Sequence, residues 1–253
     1  MFGFGRRPVE KLDFIVAGAQ KSGTTALNYY LKRHPQIAMP EKKELHFFDN
    51  DELFTGKEIS YEQLHRMFPP ARPGMIAGEN TPIYIYWRSA LPRIHNYNAA
   101  IKLIVILRNP AERAFSQWNM QRQRGAEPLD FLDAIRTEPE RIAQAAPAQL
   151  RKFSYVDRGR YGEQIARGFK VFPREQFLII KYEEFRVRQQ DIIENVFRFL
   201  NLKPVRRFKL IEAHSIPYQR PMAQHEREAV LHLLCDDIAH LETLLGWDCS
   251  DWR

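Results

Sequence analysis

The sequence predicts an α/β fold: one domain spanning 1–253, built on a central, mostly parallel sheet with helices on both faces. Three observations predict it. The runs Phe14–Ala17, Lys102–Leu107 and Gln176–Lys181 are continuously apolar at their centres, as strands buried on both faces are. Helical patterning follows each run, which is the alternation of βαβ units. At 253 residues and 44% hydrophobic content, the chain is long enough for one sizeable core.

The elements follow in order. After the first strand, a helix from about Ser22 to Arg33 stops before His34-Pro35, because the residue ahead of a proline avoids the helical region. Ser60-Tyr-Glu-Gln63 has capping-box spacing and opens a short helix that ends at Pro69-Pro70. Met75–Ala77 reads as a short strand leading into Gly78-Glu-Asn-Thr-Pro82. Beyond the central strand, Asn109 supplies an N-cap and Pro110 the first position of a helix running to Arg124. The third strand leads to helices near Glu183–Phe185 and Asp191–Leu200. From Pro221 to Gly246, Val230, Leu233, Leu234, Ile238, Leu241 and Leu245 recur at helical spacing as a core-facing stripe. Cys235 on that helix reads as a small core residue. The region Pro40–Trp87 carries little regular signal and is expected over the strand ends, where sheets of this kind bind ligands.

Lys and Arg number 38 against 31 Asp and Glu, a net charge of +7 that suits an anionic ligand. The excess is dispersed, unlike the clustered basic residues and interleaved aromatics of a nucleic-acid or polyanion groove. Two cysteines make no disulfide framework, and the N-terminus has no apolar run of signal-peptide or anchor length. A reducing, cytoplasmic setting is the expectation, with a catalytic domain taken from a membrane-anchored protein as the alternative. None of His65, His95, His225, His232 and His240 has metal-ligand spacing, and no metal is expected.

Two stretches carry anion chemistry. Phe14-Ile-Val-Ala-Gly-Ala-Gln-Lys-Ser-Gly-Thr-Thr25 passes from strand to glycine turn to helix, which leaves N–H groups and the positive end of the helix dipole facing one place. Thr24 and Thr25 add hydroxyls, and Lys21 adds a charge able to neutralise a departing oxygen. A nucleoside-triphosphate loop places its lysine after the second glycine, whereas Lys21 precedes Gly23. In Leu107-Arg-Asn-Pro-Ala-Glu-Arg-Ala-Phe-Ser116, Arg108 stands just past a buried strand, with Ser116 about two helical turns on. An arginine fork plus a hydroxyl suits a second phosphate, although Arg108 read alone also suits an ordinary ion pair.

Ala19-Gln-Lys-Ser-Gly-Thr-Thr25 resembles the 5′-phosphosulfate loop of sulfotransferases that use PAPS (3′-phosphoadenosine 5′-phosphosulfate). Leu107–Ser116 resembles their 3′-phosphate motif. The resemblance runs from about Asp13 to about Glu184. It implies a P-loop-NTPase-like sulfotransferase fold, PAPS as donor and PAP as product. Gln20, Lys21, Ser22, Gly23, Thr24, Thr25, Arg108 and Ser116 would then hold the nucleotide. Glu44-Leu-His-Phe-Phe-Asp49 resembles the E-x-H-F-F-D motif of the heparan-sulfate type, in the glucosaminyl 3-O branch especially. That resemblance implies Glu44 as catalytic base, His46 as helper, acceptor contact or second candidate for the base, and Asp49 as acceptor contact. Gly78-Glu-Asn-Thr-Pro-Ile-Tyr84 resembles G-E-K-T-P-x-Y, with Asn80 where that branch has a lysine contacting its anionic sugar. Asn80 is carried over as an acceptor contact, and the departure argues against a heparan-like polyanion. Arg158-Gly-Arg-Tyr161 resembles the family's G-x-Y segment, so Tyr161 either packs near the nucleotide or is a buried structural residue. The family's basic lid would fall in Ala213–Met222, where K-G-R is absent and Arg220 or Ser215 is the candidate replacement.

The expected reaction is in-line displacement at sulfur, with Glu44 taking the proton of a hydroxyl or amine on a saccharide, lipid or small metabolite, and no nucleic acid or membrane-spanning segment involved. A nucleotide kinase would require the other loop order and an acidic magnesium ligand ending a strand, where this chain has Arg108. A non-enzymatic polyanion-binding module leaves Glu44 beside two anion stretches unexplained.

Overall fold

Phe14–Gly18 forms the middle strand of the sheet, β1, with every residue buried. In a computed structural model that describes residues 5–56, 59–205 and 217–253, four further strands join it. They are β2 (Ile37–Ala38), β3 (Ile76–Asn80), β4 (Lys102–Leu107) and β5 (Phe177–Lys181), in the spatial order β2-β3-β1-β4-β5. β1 runs parallel to β3, with Phe14 opposite Gly78 and Val16 opposite Asn80. It also runs parallel to β4, with Phe14 opposite Lys102, and β2 runs parallel to β3. β2 is a two-residue edge strand, one of the ways a sheet limits edge-to-edge pairing.

Among the described residues the α-helices are α1 (Thr24–Leu31), α2 (Glu62–His65), α3 (Ala90–Tyr97), α4 (Pro110–Gln123), α5 (Phe131–Arg136), α6 (Glu138–Ala145), α7 (Tyr161–Phe169), α8 (Tyr182–Val187), α9 (Gln189–Phe199) and α10 (Gln224–Leu245). The chain divides into two compact units. One comprises Met1–Ala19, Gly23–Ile106 and Phe169–His214; the other comprises Gln20–Ser22, Leu107–Gly168 and Ser215–Arg253.

The first unit holds the sheet core. Phe14 and Val16 of β1 and Ile104 and Ile106 of β4 pack with Ala26, Leu27, Tyr30 and Leu31 of α1, Phe185 of α8, and Ile193, Val196 and Phe197 of α9. The two-residue alternation of strand side chains selects those β1 and β4 positions for one face. Gly78 lies against the Phe14 ring: a Cβ there would stand 2.3 Å from ring carbons.

In the second unit, α4 begins as its sequence indicates. Asn109 Oδ1 accepts from the N–H groups of Ala111 (3.0 Å) and Glu112 (3.3 Å), and Pro110 takes the first turn. Asn109 Nδ2 also donates to the carbonyl of Trp252 at 2.8 Å, which ties the cap to the end of the chain. Gly246 closes α10 in the left-handed conformation.

Three expectations change. α2 has Tyr61 at its N-cap without a side-chain cap bond, so the Ser60–Gln63 spacing forms no capping box. On α10 the buried stripe is Val230, Leu234, Ile238 and Leu241, while Leu233 is exposed, since neighbours one position off a 3.6-residue stripe point away. Cys235 is exposed for the same reason, and Cys249 is the buried cysteine. Strand β2 and helix α3 flank the weakly patterned region on its two sides, and the two residues of β2 are too few to show a period.

Gly78→Ala should lower stability by about 1–3 kcal/mol, because the Phe14 ring must move from a packed core. Urea denaturation measures this, and an unchanged midpoint would contradict so close an approach.

Candidate active site

After β1 the chain turns through two left-handed residues, Lys21 (φ 70°) and Gly23 (φ 88°). Gly23 is required twice over: its φ favours glycine, and a Cβ would stand 2.9 Å from the Tyr182 ring. Asn80, at the carboxyl end of β3, donates from Nδ2 to the carbonyl of Thr24 at 2.7 Å and fixes the start of α1.

Within the second unit, Arg108 donates from Nη1 to the Lys21 carbonyl (3.4 Å) and from Nη2 to Glu112 Oε2 (3.2 Å). Arg227 of α10 bonds the other oxygen of Glu112. Two guanidinium groups thus share the Glu112 carboxylate. Arg158, almost fully buried, holds the loop by donating from Nη1 to Gln20 Oε1 at 2.5 Å. Ser22 Oγ is buried with no hydrogen-bond partner.

Within the first unit, Glu44, His46 and Asp49 come together. His46 Nδ1 stands 2.9 Å from Asp49 Oδ2, and its Nε2 stands 3.7 Å from Glu44 Oε2. Lys43 Nζ bonds both Glu44 Oε1 (3.0 Å) and the hydroxyl of Thr25 (2.9 Å), linking the carboxylate to the first turn of α1. The Glu44 N–H donates to the carbonyl of Asn80 at 3.0 Å. Glu44 and His46 both have positive φ (61° and 54°). With Lys21 and Asn201 they are the non-glycine residues in that region among those described. Backbone strain of this kind costs about 1–3 kcal/mol per residue and concentrates at functional sites.

These contacts set the charges. Burial alone would push the Glu44 carboxyl up, but His46 and Lys43 outweigh it and hold it at about 2. The hydrogen bond to Asp49, then that to Glu44, raises His46 to about 9 against the opposing effect of burial. At neutral pH the cluster is therefore an imidazolium between two carboxylates.

The other expected site residues are placed as follows. Ser116 is buried on α4. Tyr161 is fully buried at the start of α7, with its ring 6.1 Å from that of Trp252. Asn80 is also buried, its amide directed at Thr24 rather than at solvent. Arg220 is engaged elsewhere: both Nη atoms donate to Glu226 (2.7 and 2.6 Å), and its guanidinium stacks near Phe115 and Trp118. Ser215 lies outside the described residues. The sequence alone assigns no role to Arg227, Arg158 or Lys43. Arg227 meets Glu112 across 115 positions, which no local pattern reveals, whereas Lys43 stood next to a recognised motif.

Residues 11–216 match the family described as the sulfotransferase domain. The chain belongs to that family. A crystal structure of a sulfotransferase from Alicyclobacillus acidocaldarius is similar, with a TM-score of 0.82 and 29% identity over 97% of this chain and 100% of that one. Human heparan sulfate glucosamine 3-O-sulfotransferase 5 is 30% identical over 75% of this chain and 53% of its own length. The membrane-associated sulfotransferase kil1 of Dictyostelium discoideum is 40% identical over 44% of this chain and 23% of its own length. The chain thus spans about half the length of the 3-O-sulfotransferases it matches first. The fold is the P-loop-like α/β fold of this family. Among the described residues no helix is long and apolar enough to cross a membrane.

The pH dependence of stability follows from the two shifts. Glu44 is more acidic folded than unfolded, so its contribution is present above about pH 4.5 and lost as pH falls toward 2. His46 is more basic when folded, so its contribution is present below about pH 6.5 and lost as pH rises through 9. The melting-temperature difference between wild type and His46→Ala should be widest between about pH 4.5 and 6.5 and shrink on both sides. A difference independent of pH would contradict the charged cluster.

Proposed function

We propose that the protein is a single-domain, PAPS-dependent enzyme that transfers a sulfuryl group to a hydroxyl or amine of a saccharide, lipid or small-metabolite acceptor. The observation that carries this reading is the cluster in which Lys43 bridges the Glu44 carboxylate and the Thr25 hydroxyl on the helix that follows the lysine loop.

The residues suit a nucleotide with an anion at each end. Ser22 offers a buried hydroxyl without a partner, Lys21 a charge at the loop, and Arg108 and Arg227 two guanidinium groups gathered on Glu112. Bound there, PAPS would supply an activated sulfuryl group on a good leaving phosphate. Lys21 would neutralise charge developing on that phosphate, and Arg108 with Ser116 would hold the 3′-phosphate.

Glu44 is the base. Its carboxylate is ionised at neutral pH and can accept a hydrogen bond from the acceptor before taking the proton. His46, the second candidate, already carries its proton at neutral pH and cannot take another. It acts instead as a cation beside the reacting anions, oriented by Asp49. The buried amide of Asn80 supports an acceptor other than a heparan-like polyanion. A cytoplasmic setting belongs to the same reading and draws on the two free cysteines.

The test is PAP release from PAPS across a panel of hydroxyl and amine acceptors. Against the best acceptor, Glu44→Ala should cut turnover by roughly 10²–10⁴-fold while PAP affinity stays within about twofold. Full turnover by that variant would move the base elsewhere; no PAP release with any acceptor would count against the activity itself.

A further inference from the structure

Glu79, near the end of β3, has no part in the reaction as described, yet it is close enough to Asp49 and His46 to feel their charges, with its side chain fully buried. Its Oε2 accepts from the Thr81 hydroxyl at 2.7 Å, and its Oε1 has no hydrogen-bond partner. The Thr81 carbonyl in turn accepts the backbone N–H of Tyr84 at 3.2 Å, and Tyr84 is itself buried up to its hydroxyl. That hydroxyl accepts the backbone N–H groups of Phe47 (3.1 Å) and Phe48 (3.3 Å). These two residues are the turn between His46 and Asp49, so a continuous path runs from Glu79 to the pair that holds the imidazolium.

We propose that Glu79 is a positioning residue for the active site: through Thr81 and Tyr84 it anchors the turn that sets Asp49 against His46, and through its charge it governs how firmly that imidazole is held. The inference rests on Glu44 acting as base beside His46. Asp49 and Glu79 are both wholly buried, and His46 is the cation that faces them. Two buried carboxylates near one another resist joint ionisation. Asp49 has the imidazolium as its partner at 2.9 Å. Glu79 has the Thr81 hydroxyl as donor and an unpartnered oxygen, and burial, with Asp49 adding to it, pushes its carboxyl up to about 7. Below that pH a neutral Glu79 leaves Asp49 alone to balance His46. Above it a second buried negative charge tightens the hold on the imidazolium and opposes an anionic donor. The groups facing Glu79 are Asp49, His46, Thr81 and Tyr84, and those facing His46 are Asp49, Glu44 and Glu79.

Histidine-labelled protein followed by NMR tests this without an acceptor. In wild type the His46 ring resonances should show a step near pH 7 in addition to their own titration near 9. Glu79→Gln, which mimics the neutral carboxyl, should abolish the step, and Asp49→Asn should move it below 7. Thermal stability gives a second reading. The folded protein binds an extra proton between about pH 4.5 and 7, so wild type should lose stability across that window as pH rises, and Glu79→Gln should lose less. A step that survives in Glu79→Gln, or equal stability losses in the two proteins, would overturn the proposal. PAP titration of the same samples separates the two readings: wild type failing to bind PAP sinks the donor site, whatever His46 does.

Discussion

Asn80 is the joint on which the site is hung. Its backbone carbonyl receives the N–H of Glu44, and its side-chain amide holds the carbonyl of Thr24, so one residue fixes both the Glu44 backbone and the first turn of the loop helix. Its own position is set by the parallel register that puts it opposite Val16 of β1. That register is in turn kept by Phe14 lying over Gly78. The left-handed backbone at Glu44 and His46 is held against its strain by bonds of this kind, together with the Tyr84 hydroxyl under the following turn.

Charge is arranged as tightly as backbone. Lys43 and His46 flank Glu44, Asp49 steadies His46, and Glu79 is buried nearby with one oxygen unpartnered. The arrangement keeps Glu44 ionised and His46 protonated across the neutral range. In the second unit Glu112 does comparable work by holding Arg108 and Arg227 against their mutual repulsion.

The strands and the major helices were legible because buried parallel strands are continuous apolar runs and because Asn109-Pro110 is strong cap chemistry. The loop and the E-x-H-F-F-D stretch were legible because their residue types are compact in sequence. What stayed hidden depends on distance along the chain or on packing direction. Arg227 joins Glu112, and Arg158 joins Gln20, only once the chain has folded. Asn80 read as an acceptor contact by analogy with a lysine, but a shorter side chain at the same place turns inward to a carbonyl. Leu233 and Cys235 were misplaced because an apolar-rich helix does not reveal which positions border its stripe.

The central claim is that the loop around Lys21 and the arginine group around Arg108 hold a nucleotide phosphorylated at both ends of its ribose. Calorimetric titration with PAP, alongside ADP and ATP, which lack the 3′-phosphate, tests it most directly. The account predicts micromolar or tighter PAP binding, weak binding of ADP and ATP, and loss of PAP binding in Lys21→Ala and Arg108→Ala. ATP binding equal to or tighter than PAP, or no PAP binding by the folded protein, would contradict it.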